Sequence, residues 1–91
     1  HRTNVMANIV RKNDADSSGD VATPANFSPD VLVAGQNVFR HGDLDTNNDV
    51  VSAGLGLTAK VFINNKAVVV ADDVDSAGDI KIAPDTKVSV G

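Results

Sequence analysis

The sequence predicts a small all-β domain of short β-hairpins with pseudo-three-fold internal repeats, its two termini closing a ring. Three observations carry that expectation. All 12 acidic residues are Asp and Glu is absent; Asp favours caps and turns, whereas Glu favours helix interiors. Fifteen valines supply much of the apolar content, and a β-branched side chain suits a pleated sheet. Finally, residues 28–45 and 58–75 match without a gap at an offset of 30, and internal self-similarity of this kind marks a repeated supersecondary unit.

The elements follow in order. Ile9-Val10-Arg11-Lys12-Asn13-Asp14-Ala15-Asp16 matches the second half of the repeat and runs on into Ser17-Ser18-Gly19-Asp20. The first full copy reads Val31-Leu32-Val33, a tight turn at Ala34-Gly35, Val38-Phe39-Arg40, then Asp43-Leu44-Asp45. The second reads Val61-Phe62-Ile63, a turn at Asn64-Asn65, Val68-Val69-Val70, then Asp73-Val74-Asp75. Gly and Asn tolerate the positive φ of hairpin turns, so both copies are expected to be β-hairpins. At the far end, Lys87-Val88-Ser89-Val90-Gly91 matches the first half of the repeat. A copy split between the termini is what a closed ring cut mid-hairpin looks like. Residues 88–90 are therefore expected to pair with 9–11, removing two open strand edges.

Composition bounds the rest. A chain of 91 residues makes one domain with a thin core. Without cysteine it has no disulfide and no thiolate metal site. The longest apolar stretch falls far short of the roughly 20 residues of a membrane-spanning helix. A net charge of −4 with no basic cluster argues against nucleic acid or an anionic membrane as a standing partner. Residues 1–5 are read as an artificial extension before a natural start at Met6, leaving 6–91 as the single domain, with no role for His1.

The arrangement resembles the PAAR-repeat proteins. Their repeat reads approximately as a strand, Gly-Lys-Pro-Ala-Ala-Arg, then Val-Gly-Asp. Gly35-Gln36-Asn37-Val38-Phe39-Arg40-His41-Gly42-Asp43 falls in that register and keeps the Gly, the Arg and the final Gly-Asp. Asn65-Lys66-Ala67-Val68-Val69-Val70-Ala71-Asp72-Asp73 follows it more loosely, and Ala83-Pro84-Asp85-Thr86-Lys87-Val88-Ser89-Val90-Gly91 looks like the family's closing Ser-Pro-Asn-Val-Phe-Ile-Gly. The resemblance runs from about Met6 to Gly91. It implies a small conical domain that caps and sharpens a trimeric β-helical spike in a contractile injection machine, one copy per trimer. The setting would be a phage tail baseplate, as a virion component, or the extracellular end of a type VI secretion device. It implies transient membrane contact during piercing, no catalysis, no nucleic acid and no homo-oligomer.

The departure from the family lies in the metal. Zinc-binding members use three His and one Cys near the apex. Their first His position corresponds to Ser18, their Cys to Ala77, and their middle Cys/His loop to residues 46–52, which contain neither. Tetrahedral zinc needs about four convergent ligands, so no zinc and no other cofactor is expected. His41 falls at the Val of Val-Gly-Asp, away from the ligand positions.

Asp43, Asp45, Asn47 and Asp49 offer the alternative of a calcium loop, because alternate oxygen side chains are how EF-hand-type loops begin. Asn48 stands where such a loop needs Gly, and Gly54 where it needs Glu. A solvated turn in which Asp and Asn bond their own backbone is the preferred reading. The alternative function that goes with calcium is an extracellular β-module for adhesion or carbohydrate binding.

For the partner surface, alternation along a strand puts Leu32, Phe62 and Ser89 opposite the pairs Val31/Val33, Val61/Ile63 and Val88/Val90, which are expected to fill the core. Val10, Phe39 and Val69 form a second equivalent set. Leu32, Phe62, Val10, Phe39 and Val69 are the candidate residues for docking on the spike.

Overall fold

The computed structural model describes residues 7–53, 61–83 and 88–90. Residues 1–5, Met6, Gly54 and most of the closing 83–91 segment lie outside those residues. The strands are β1 (Ala7–Asn8), β2 (Leu32–Val33), β3 (Gln36–Asn37), β4 (Val51–Ser52), β5 (Phe62–Ile63), β6 (Lys66–Ala67), β7 (Val74–Asp75) and β8 (Ser89–Val90). They form small antiparallel two-stranded sheets. Among the described residues nothing is helical, and no helix is long and apolar enough to cross a membrane.

Turn chemistry sets the hairpins. Ala34 and Gly35 have φ of 51° and 81°, and Asn64 and Asn65 have 54° and 65°. Positive φ at both central residues is the requirement of a two-residue type I′ turn. Leu32 consequently sits opposite Asn37 in β2–β3, and Phe62 opposite Ala67 in β5–β6.

The termini meet, with a change of register from the sequence expectation. β1 pairs with β8, Ala7 opposite Val90 and Asn8 opposite Ser89, and the Ile9 N–H donates to Val88 O at 2.9 Å. Residues 88–90 thus lie against 7–9, two positions earlier than 9–11. Residues 10 and 11 are unavailable because other segments use them. The Val10 N–H donates to Val69 O at 2.9 Å, Val69 N–H to Phe39 O at 3.0 Å, and Phe39 N–H to Val10 O at 3.0 Å. Three backbone hydrogen bonds close on themselves. Around them, bridges join Ile9 to Val70, Arg11 to Val38 and Arg40 to Val68.

Alternation about this circuit divides the core in two. Val10, Phe39 and Val69 turn to one side and pack with Val51, Ala53, Ala67 and Ala83. Ile9, Val38, Val68 and Val70 turn to the other and pack under Val31, Val33, Val61 and Ile63. Val10, Phe39 and Val69 have no exposed surface at all, which removes them as docking residues. In so thin a domain the side facing the loops is needed as core, so the second equivalent set is structural. Leu32 and Phe62 are 53% and 57% exposed. The valine pairs are only half-buried, and Val88, expected inside with them, is exposed.

Candidate functional site

Three Asp-rich loops follow the three central segments, and carboxylates order each loop in the same manner. The first Asp caps the turn: Oδ2 of Asp14, Asp43 and Asp73 accepts the N–H of Arg11, Arg40 and Val70, each at 2.9 Å. Arg11 and Arg40 also close side-chain ion pairs with Asp14 and Asp43 at 3.2 and 3.0 Å, all four buried.

The second Asp organises the loop tip. Asp16 Oδ1 accepts from Ser18 N–H at 2.8 Å and Asp20 N–H at 3.0 Å. Asp45 Oδ1 accepts from Asn47 and Asp49 N–H, both at 2.9 Å. Asp75 Oδ1 accepts from Ala77 at 2.9 Å and Asp79 at 3.0 Å. These are the backbone-bonding turns that Asp and Asn prefer.

Each loop is then tied to another. Ser17 N–H donates to Ile80 O at 2.9 Å, Thr46 N–H to Val21 O at 2.8 Å, and Ser76 N–H to Val50 O at 2.9 Å. In return, the hydroxyls of Ser17, Thr46 and Ser76 accept the N–H of Ile80, Val21 and Val50 at 2.9, 3.3 and 3.0 Å.

Because Oδ1 of each second Asp is spent on its own loop, Oδ2 is left to face inward. The three meet at Lys81. Its Nζ donates to Asp16 Oδ2 at 2.8 Å and Asp45 Oδ2 at 3.4 Å, and stands 3.6 Å from Asp75 Oδ2. None of these four side chains has exposed surface. The Phe39 ring centroid lies 5.5 Å from the same nitrogen. Asp75 Oδ2 has no hydrogen-bond partner.

Charge here is held by pairing. Burial would raise the Asp16 carboxyl, but hydrogen bonds from Lys81 and from the Asp20 and Ser18 N–H groups outweigh it and keep the group below its ordinary value. Burial would likewise lower the Lys81 ammonium, and its bonds to Asp16 and Asp45 instead raise it.

A second tier of carboxylates lies further out. Asp20, Asp49 and Asp79 are half-buried, and each offers an oxygen within 4.8 Å of the others. Together with Asp16, Asp45 and Asp75 they are the residues able to hold a hard cation, for which carboxylate oxygens are the suitable ligands. The calcium loop considered from sequence is distributed differently. Asp43 faces Arg40, Asn47 supplies N–H donors, and only Asp45 and Asp49 join convergent groups, with Asp75 from another loop. His41 Nδ1 accepts the Ala53 N–H at 3.0 Å.

Sequence reasoning missed Lys81. A signal was present: an Asp recurs four positions after each second Asp, at Asp20, Asp49 and Asp79, and Lys81 stands two residues past the last, where the other copies have Val51 and Ala22. No family model matches the chain, and no curated protein or solved structure matches it.

Proposed function

We propose that the chain is a PAAR-like structural tip that caps a trimeric β-helical spike of a contractile injection machine, one copy per trimer. The observation that carries this reading is the closed circuit of backbone hydrogen bonds through Val10, Phe39 and Val69, with the termini paired beside it. Three like segments around one axis give a single chain the symmetry that a trimer's end requires. The recurrence of the same Asp hydrogen bonds in all three loops supports a pseudo-three-fold arrangement tapering to the Lys81 centre.

The docking face on this reading carries Leu32 and Phe62 at equivalent places on β2 and β5, with exposed Val88 nearby in the repeat order. Exposed apolar side chains gathered on one face mark an interface. At the loop end, Val50, Val74 and Ile80 are also exposed beside the carboxylates, an apolar collar suited to brief passage through a membrane. The role is mechanical, at a phage tail tip or the outer end of a bacterial device.

Leu32→Asp and Phe62→Asp test the docking face. Both variants should keep the wild-type circular dichroism spectrum and melting transition while losing capture by the β-helical spike trimer. Unaltered capture by both would overturn the assignment.

A second reading, an extracellular calcium-stabilised module for adhesion or carbohydrate binding, is favoured by the convergence of Asp20, Asp49 and Asp79. A melting temperature that rises with calcium, and ceases to do so in Asp20→Asn, would select it.

A further inference from the structure

The Lys81 centre has the anatomy of a binding site rather than that of a surface ion pair. Its walls are built without the lysine: each of Asp16, Asp45 and Asp75 is fixed through Oδ1 by two backbone N–H donors of its own loop. Each is thereby anchored to its own loop independently of Lys81, with its second oxygen left for a cation. The three Oδ2 atoms lie at 2.8, 3.4 and 3.6 Å from one nitrogen. A primary ammonium has three N–H donors and no acceptor; it bonds Asp16 and Asp45, and Asp75 Oδ2 is the buried acceptor beside it without a hydrogen bond. The Phe39 ring supplies an aromatic wall at 5.5 Å, the environment that favours an organic cation over bulk water.

The lysine backbone, by contrast, is not special. Lys81 N–H donates to Asp73 O and its carbonyl accepts from Asp72 N–H, at 2.7 and 2.9 Å. Val51 makes the same two bonds, to Asp43 O and from Gly42 N–H, at 3.0 and 2.8 Å. The Val51 side chain joins the apolar core instead. The strand position thus tolerates an apolar residue, and what is particular to Lys81 is the head group it delivers.

We infer that Asp16, Asp45 and Asp75, with the Phe39 ring, form a primary-ammonium site whose resident ligand is the chain's own Lys81, and that shortening this side chain opens the site to a free alkylammonium ion. The centre binds one ammonium and seals it, so the junction of the three loops carries its own counter-ion. This inference does not depend on the docking role.

Thermal melting of the wild type, Lys81→Ala and Lys81→Met in n-propylammonium chloride, against equal sodium chloride, tests it. Lys81→Ala should melt several degrees below the wild type and recover part of the loss as propylammonium rises into the millimolar range. Lys81→Met fills the space without charge and should not recover, and the wild type should not respond. A folded Lys81→Ala that ignores propylammonium, or a wild type and Lys81→Met that respond equally to it, would overturn the inference. Should Lys81→Ala stay unfolded throughout, the wild-type Lys81 ammonium decides by nitrogen–proton correlation in the cold at neutral pH. A slowly exchanging signal with contacts to Phe39 sustains the site, and a freely exchanging one refutes it.

Discussion

Lys81 Nζ donates to Asp16 Oδ2 at 2.8 Å across 65 residues of chain, with neither side chain reaching solvent. The contact joins the last described loop to the first. It brings the junction of all three Asp loops under the control of one ammonium. Long side chains of this kind are seldom fully buried unless paired, and here pairing decides both charge states.

The first prediction concerns pH. Asp16 lies below its ordinary 3.8, so its contribution to stability is fully present above that pH and is lost as the pH falls through the lowered value. Lys81 lies above its ordinary 10.5, so its contribution is fully present below that pH and is lost as the pH rises through the raised value. The centre should therefore add a constant stabilisation between the two, with losses outside. Urea midpoints measured against pH should show both falls in the wild type and lose the alkaline one in Lys81→Met.

A second prediction separates two carboxylates of the same centre. Asp16→Asn removes the closest charge partner of a buried ammonium and should cost about 3–5 kcal/mol. Asp75→Asn keeps an amide oxygen for the Ala77 and Asp79 N–H groups and neutralises the one carboxylate oxygen without a hydrogen bond. It should cost less than Asp16→Asn, because this carboxylate stands farther from the ammonium, 3.6 Å against 2.8 Å. Equal costs in urea unfolding would show that Lys81 does not discriminate between the two loops.

The two phenylalanines of the repeat should part company. Phe39→Ala empties a fully buried site and should cost about 3–5 kcal/mol, a large share of a small domain's stability. Phe62→Ser acts on a side chain that is mostly exposed and should shift stability by less than about 1 kcal/mol. Chemical denaturation of both variants checks the contrast.

Backbone strain yields a stabilising substitution. Asp72 has φ of 78°, where the preceding copy places Gly42 at 87°. The left-handed conformation costs an L-residue roughly 1–2 kcal/mol, a penalty that glycine escapes. Asp72→Gly should raise the melting temperature by a few degrees, since about 1 kcal/mol shifts a domain of this size by roughly 4–8 °C. An unchanged or lower value would mean that the Asp72 side chain compensates.

Local features were the most legible in the sequence. Gly35 and Asn64-Asn65 announced their turns because few residues accept positive φ, whereas Ala34 adopts it without being such a residue. The meeting of the termini was legible in the split repeat. Its register was not, because side-chain pattern does not reveal that Val10 spends both backbone groups on Phe39 and Val69. Alternation separates the two faces of the central segments without saying that both are buried, so it does not reveal that Val10, Phe39 and Val69 have no exposed surface. The Asp loops were legible as self-bonded turns, but not as the solvated ones expected, since Asp43 and Asp45 are buried. Their convergence on Lys81 was not, because it arises only when Asp16 and Asp45, 65 and 36 residues away in the chain, close on it, and composition places lysine outside by default.

The most direct test of the proposed tip role is the mass of the native complex formed when this chain is mixed with a β-helical spike trimer encoded in the same genome. The expected mass is that of one copy of the chain per trimer, and Leu32→Asp with Phe62→Asp should abolish the complex. A chain that remains alone at concentrations well above micromolar, or that binds three copies per trimer, would contradict it.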